Sequence, residues 1–193
     1  MKNKIKDFTT IIPFWNPYIT PVQLENATPE QLDALQVTPS NTKVGEYVLV
    51  LAHDPTTLKH RTPLFNGIMY SRNGLSRAET ELSAVATSVT NRCIYCTAVH
   101  ASRYNELTKT TSDMENILDN KTPEKLDPRK LAIFNFSEKL SVTPPTITET
   151  DLQSLRDNNL QIDEILDIIL SSSIFAWANR LMHPLGEPLE NNV

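Results

Sequence analysis

Signals for starting a helix recur along this chain, and they constrain its fold more than any other feature. Thr28-Pro29-Glu30-Gln31 offers an N-cap, a proline at the first helical position and a glutamine at the third. Ser76-Arg77-Ala78-Glu79 reads as a capping box, and Asp127-Pro128 as a cap followed by proline. Thr148 or Thr150 can cap the segment through Leu155, and Asp163 can open the long helix after it. Between these signals apolar residues repeat at three and four. Val44, Val48, Leu51 and Ala52 do so, as do Leu82, Val85, Ala86 and Val89, and Leu131, Phe134 and Ser137 to Leu140. Ile165, Ile168, Ile169, Ser172, Phe175 and Ala176 give the strongest stripe. Strand-like alternation is confined to short ambiguous runs such as Tyr47 to Leu51. The pattern predicts an all-α fold of roughly seven to nine helices joined by short turns.

At 193 residues the chain fits one domain around one core. Residues 1–25 carry Pro13, Pro17 and Pro21 and read as an extended N-terminal arm, with a single all-helical domain over 26–193. Ile11, Ile12, Phe14, Trp15 and Tyr18 make that arm too apolar for a free tail, so it should pack on the body or on a neighbouring subunit. Leu75, Glu79 and Ser88 match Leu160, Glu164 and Ser173 at an offset of 85, which hints at an internally duplicated helical unit. The formal charge of −5, with basic residues scattered among acids, builds no stripe for nucleic acid. No apolar run reaches the ~20 residues that span a bilayer. The basic start is followed by a stretch that Pro13 and Pro17 break, unlike a secretory leader. These features predict a cytoplasmic protein with neither nucleic acid nor membrane as partner.

The chain's only two cysteines stand in Cys93-Ile-Tyr-Cys96-Thr-Ala-Val-His100, with Glu81 twelve residues before Cys93. On a helix these spacings put both thiols and the imidazole on one face. A thiol pair, an imidazole and a carboxylate are the parts of a thiol redox site. Three plainer readings compete. The cysteines can be small core hydrophobes. They can hold zinc with His100, but a fourth ligand is then needed, and His53, His60 and His183 are scattered singly. A permanent disulfide here would close too small a loop to stabilise much. Neither a metal nor any other cofactor is expected.

Glu81 falls about 40° around the helix axis from Val85, inside or beside the core-facing stripe. It can lean to solvent beside Glu79, or it can hydrogen-bond His100. Thr90-Asn91 can end the Glu81 helix and cap the next, so that the cysteines lie in its first turns. Free backbone N–H groups there favour a thiolate at Cys93. Cys96 and His100 are i,i+4 neighbours, so the imidazole can take the Cys96 proton directly or through water. Which thiol attacks first is left open by these residues.

Glu81-x11-Cys93-x2-Cys96-x3-His100 resembles the motif of alkyl hydroperoxidase D-like proteins, in the carboxymuconolactone decarboxylase superfamily. The resemblance is closer to the peroxidase-related branch and covers most of the chain. Leu75-Ser-Arg-Ala-Glu-Thr-Glu81 is similar to the branch's segment before the motif, and Tyr95 between the thiols is similar to its usual form. Leu126-Asp-Pro-Arg-Lys-Leu, Lys139-Leu, Leu155-Arg-Asp-Asn-Asn-Leu160, Asn179-Arg180-Leu181 and Gly186 follow in the branch's order. Alkyl hydroperoxidase D proteins proper often carry histidine where Tyr95 stands.

This resemblance implies an all-helical fold and homo-oligomers, commonly trimers or hexamers. It implies peroxide reduction through a dithiol/disulfide cycle without metal or haem. Glu81 and His100 would be the proton relay, and Cys93 and Cys96 the redox pair. The mechanism expected from it has Cys96 attack a hydroperoxide and Cys93 close the disulfide, which an external dithiol, a lipoyl or thioredoxin-like protein, then resets. Two alternatives stand beside it. One is a disulfide oxidoreductase acting on a protein or small-molecule thiol, the other a non-catalytic redox-sensing oligomer.

Overall fold

The computed structural model describes residues 3–36, 43–70 and 73–191. The outermost residues of the sequence-derived arm and domain, 1–2 and 192–193, lie outside them. The described residues are mainly helical, in the order β1 (Phe14–Pro17), α1 (Pro29–Ala34), α2 (Glu46–Leu51), α3 (Pro55–Met69), α4 (Arg77–Thr90), α5 (Ile94–Thr108), α6 (Ser112–Met114), α7 (Pro128–Ser141), α8 (Glu149–Asp157), α9 (Ile162–Leu185) and β2 (Gly186–Leu189). A π-helical turn, Glu115–Asp119, follows α6. The expected caps form. Thr28 and Gln31 make a capping box, as do Ser76 and Glu79, and Asp127 accepts from Lys130 N. Thr148 starts α8. For α9 the start lies earlier than Asp163: Gln161 is the cap, and its N–H donates to Glu164 Oε2 at 2.7 Å.

The centre of the fold is α4, which packs against α5, α7 and α9. Every residue from Thr80 to Ser88 on it is buried. A helix covered on all sides cannot show a polar face. Small residues answer this here, because alanine, serine and threonine let neighbouring helices approach. Their hydroxyls find partners within the contact: Ser83 Oγ lies 3.0 Å from both Ser172 Oγ and Ser137 Oγ, and Ser141 Oγ donates to Thr87 Oγ1 at 3.0 Å. Pairing of this kind removes the penalty of about 1–3 kcal/mol that each buried, unpartnered hydroxyl would carry. On α7 the buried face is Ala132, Ile133, Phe134, Phe136, Ser137 and Ser141, broader than the expected stripe through Leu131 and Leu140. Leu155, Leu160, Ile165 and Ile168 extend the same core.

The helices α4 and α9 begin with the same device. Their capping glutamates, Glu79 and Glu164, are the pair found at the 85-residue offset, and Arg129 of α7 binds both, with Nε–Oε1 at 2.6 Å and Nη2–Oε1 at 2.5 Å. Replacing Arg129 with Met is expected to destabilise the fold by about 2 kcal/mol, since two partly buried charge-assisted bonds are lost. Denaturant unfolding measures this. An unchanged midpoint would mean that the clamp contributes nothing to stability.

The N-terminal arm does not run free. β1 pairs antiparallel with β2, in the register Phe14↔Leu189 to Pro17↔Gly186. Trp15 is carried inward, 4% exposed, while Ile11, Ile12, Phe14 and Tyr18 stay exposed on the single chain. Trp15 crosses Gly186 so closely that a Cβ there would sit 2.5 Å from the indole ring. α9 is apolar around much of its circumference, and one chain covers only part of it. Its inner face, including Ile165, Ile168, Phe175 and Met182, is buried, but Ile162, Leu166, Leu170 and Trp177 line its outer face in the open. By length and composition α9 could cross a membrane, yet half of its most apolar window is packed inside the fold.

Candidate functional site

Ser76 sets the start of α4, and one turn in, Glu81 points into the core at 2% exposure. Both carboxylate oxygens are engaged. Arg77, four residues before it on the same helix, places Nη2 2.6 Å from Oε1, and His100 places Nδ1 2.6 Å from Oε2. A buried carboxylate needs this, because without partners it would cost several kcal/mol. The solvent-facing alternative for Glu81 is therefore not the one adopted. An imidazole donating through Nδ1–H has its lone pair on Nε2, the nitrogen then able to act as a base.

α4 ends at Thr90, and the chain reverses through Asn91 and Arg92, the latter left-handed at φ 55°. The next helix begins at Ile94 with Cys93 as its N-cap residue, and no side chain caps it. Asn91 therefore closes α4 and does not cap α5, contrary to expectation, because the left-handed step at Arg92 puts the new helix start after it. Cys93 N donates to Ser88 O at 2.9 Å, which ties the turn to α4. Cys96 lies in the first turn of α5 and His100 one turn further along.

Both thiols are free and buried, in a cluster with Trp15, Val50 and Met182, flanked by Tyr47, Tyr95 and Leu185. Burial pushes the Cys96 thiol well up from its ordinary range, and the adjacent Cys93 pushes the same way. Burial likewise raises Tyr47 and Tyr95. His100 packs edge-on against Phe175 of α9, ring centres 4.2 Å apart. Its hydrogen bond among the described residues goes to Glu81, so proton transfer from Cys96 would need a bridging water. A cavity of about 120 Å³ opens beside Cys93, lined by Trp15, Arg92, Tyr95 and Met182 among others, under the β1–β2 ribbon.

Of the four residues singled out from sequence, Glu81 on α4 meets His100 on α5, while Cys93 just before α5 and Cys96 in its first turn make no hydrogen bond to the imidazole among the described residues. The sequence reading missed Arg77, although an i,i+4 partner for Glu81 was visible on the same helix. It also missed the cover formed by Trp15, Tyr47 and Met182, which no local spacing reveals. Among the described residues no group of three or more histidine, cysteine or acidic side chains is placed to hold a metal ion.

Residues 55–139 match the model of the Carboxymuconolactone decarboxylase family. An uncharacterized peroxidase-related protein from Ralstonia eutropha JMP134, described as an alkylhydroperoxidase AhpD core, superposes with a TM-score of 0.76 at 24% identity, over 91% of this chain and 93% of that one. A peroxidase-related protein from Silicibacter sp. TM1040 gives 0.77 at 22% identity, over 92% and 94%. The debrominase Bmp8 gives 0.72 at 16% identity, over 86% and 88%. A search of curated proteins returned no match. At these identities the structural likeness speaks for the fold, and the family match for a relationship over residues 55–139. Residues 55–139 carry the likeness to the carboxymuconolactone decarboxylase family, and the chain has the all-α fold of the alkylhydroperoxidase AhpD-core structure it superposes on.

Proposed function

We propose that this protein is a thiol peroxidase that reduces organic hydroperoxides through Cys96 and Cys93. The observation that carries the reading is the buried Glu81–His100 contact, 2.6 Å long, beside the chain's only thiol pair. A neutral buried thiol needs a base to become a nucleophile, and His100, oriented by Glu81, supplies it. The Cys96 thiolate attacks the terminal oxygen of R–O–OH. The O–O bond breaks, the sulfur is oxidised to sulfenic acid, and the protonated His100 returns a proton to the leaving alkoxide as R–OH. The Cys93 thiol then displaces the sulfenic hydroxyl, releasing water and forming the Cys93–Cys96 disulfide. An external dithiol, a lipoyl or thioredoxin-like protein, reduces the disulfide by exchange and is itself oxidised. The aromatic and aliphatic surroundings of the thiols favour an organic over an inorganic peroxide. With about 30 Å³ per water, the cavity beside Cys93 holds a few waters or a peroxide head, not a bulky tail.

The test is a coupled peroxidase assay with several dithiol reductants. The reading expects hydroperoxide-dependent turnover and, by thiol trapping and mass spectrometry, one reversible intramolecular disulfide. Fast reduction of protein or small-molecule disulfides without peroxide consumption would favour the oxidoreductase alternative. Disulfide formation with no turnover in excess reductant would favour a redox sensor.

The working form proposed here is a cytoplasmic homotrimer or homohexamer, built from the arm 1–25 and the helical domain 26–193. The outer face of α9, with Ile162, Leu166, Leu170 and Trp177, and the arm's Ile11 and Tyr18 are the surfaces that a second copy would cover. Light scattering at micromolar concentration is expected to give three or six times the 21.8 kDa of one chain, and Leu170→Asp to reduce it. A monomer in both cases would end this part of the proposal.

A further inference from the structure

Two hydrogen-bond donors near the thiol pair have nothing to donate to. Arg61, on α3, carries a guanidinium that cannot shed its proton. It lies over the Phe65 ring, Cζ 4.1 Å from the centroid, with the Tyr47 ring centre at 5.7 Å. Its Nε is buried and makes no hydrogen bond. Among the described residues no carboxylate stands within ion-pair distance of it, whereas Arg77 and Arg103 each have one and Arg129 has two. The Tyr47 hydroxyl is buried and unpartnered as well. Burial disfavours the charge on Arg61, and among the described residues the ring faces of Phe65 and Tyr47 offset this without any counter-charge.

These donors are close to the redox centre. The Tyr47 ring packs edge-on to Trp15, centres 5.7 Å apart, against the cluster that holds Cys93 and Cys96. Phe65 packs edge-on to Phe175 at 5.4 Å, and Phe175 packs on His100 at 4.2 Å. One aromatic wall therefore runs from Arg61 to both the thiols and the imidazole. Stacking on rings uses the faces of a guanidinium and leaves its N–H edge unspent. Structural glue alone would be supplied more cheaply by a methionine or leucine. A planar acceptor with one negative charge matches that edge, because the fork of N–H groups fits a carboxylate in its plane. A phosphate dianion would call for a second cation, and among the described residues Arg61 is the cation that this wall presents.

We propose that Arg61 and Tyr47 form an anion subsite beside the thiol pair, and that the hydroperoxide reduced there carries a carboxylate. The second half rests on the peroxidase reading; the first does not. Two measurements separate them. Quenching of tryptophan fluorescence, to which Trp15 beside Tyr47 contributes, reports binding of sodium benzoate against benzamide at fixed ionic strength, with no turnover needed. Wild type is expected to prefer benzoate by about tenfold or more, the usual weight of a charge-assisted bond. Arg61→Gln should abolish the preference, Arg61→Lys retain part of it, and Tyr47→Phe, which removes one oxygen, weaken it. Equal binding of the two probes, or benzoate binding untouched in Arg61→Gln, would overturn the subsite. The second measurement compares cumene hydroperoxide bearing a para-carboxylate with its methyl ester. The acid should have the higher kcat/KM by about tenfold, through KM, and the ratio should approach one in Arg61→Gln. An active enzyme that treats acid and ester alike would overturn the substrate class. Benzoate preference in a protein that consumes no hydroperoxide would uphold the subsite and remove the peroxidase reading instead.

Discussion

Cys96→Ser is expected to abolish peroxide consumption, while Cys93→Ser consumes about one equivalent of hydroperoxide and stops. The asymmetry follows from the roles assigned to the two sulfurs. Cys96 sits one helical turn before His100, within reach of the base, so its loss removes the nucleophile. Cys93 lies at the start of α5 against the cavity, and its loss removes the thiol that turns sulfenic acid into disulfide. Rapid-mix peroxide consumption with mass spectrometry of the trapped cysteine reads both. The reverse pattern would exchange the roles, and full turnover in either variant would remove the dithiol cycle. The pH dependence has a definite sign. Burial, then the neighbouring Cys93, raises the Cys96 thiol, so the folded protein holds it neutral at pH values where a free thiol ionises, above about 8.5. The first turnover should therefore accelerate as pH rises into the alkaline range. Stability should move oppositely. Neutral Cys96 in the fold favours the native state up to the unfolded thiol's pKa, and the advantage is lost as pH climbs through the higher folded value.

The parts of this site that lie close in sequence were legible there, and the parts brought together by packing were not. Ser76 and Glu79, Thr28 and Gln31, and Asp127 announced their helices because a cap is a local event, decided by side chains three residues apart. Cys96 and His100 fall one turn apart on α5, just after Cys93 at its N-cap, for the same local reason. Glu81 was placed near the stripe by its angle on α4, and its meeting with His100 only needed α4 and α5 to pack side by side. Arg77 was within reach of the same reasoning and was passed over, since a lone arginine on a capping turn reads as solvated. Trp15, Tyr47 and Arg61 were out of reach. Trp15 arrives by pairing β1 with β2 across more than 170 residues of chain, and no spacing encodes that register. The mistaken N-cap at Asn91 has a similar origin. A left-handed arginine at 92 is a strained choice that local propensity would not select, and the surrounding contacts impose it.

Glu81→Gln and His100→Phe are each expected to lower peroxide turnover about 10²-fold, the usual weight of a general base. His100→Phe keeps the ring's packing against Phe175 and removes both nitrogens. The Cys96 thiol, held neutral by burial, then has only water to take its proton. Glu81→Gln acts one step further away. The amide can still accept from Nδ1–H, but it carries no charge to stabilise an imidazolium, so His100 becomes a poorer base. The same change strips Arg77 of its counter-charge at 2.6 Å, which should cost about 3 kcal/mol of stability in this buried setting. Unfolding must therefore be measured beside kinetics. Arg77→Met provides the control that separates the two effects. It removes the second partner of Glu81 yet leaves the Glu81–His100 bond, so it should destabilise the fold while reducing turnover less than Glu81→Gln does. If a folded Glu81→Gln retains full activity, Glu81 serves only to hold α4 to α5. If Arg77→Met is instead the more damaging of the two, the charge that matters to the thiols sits on the guanidinium, and His100 is a spectator.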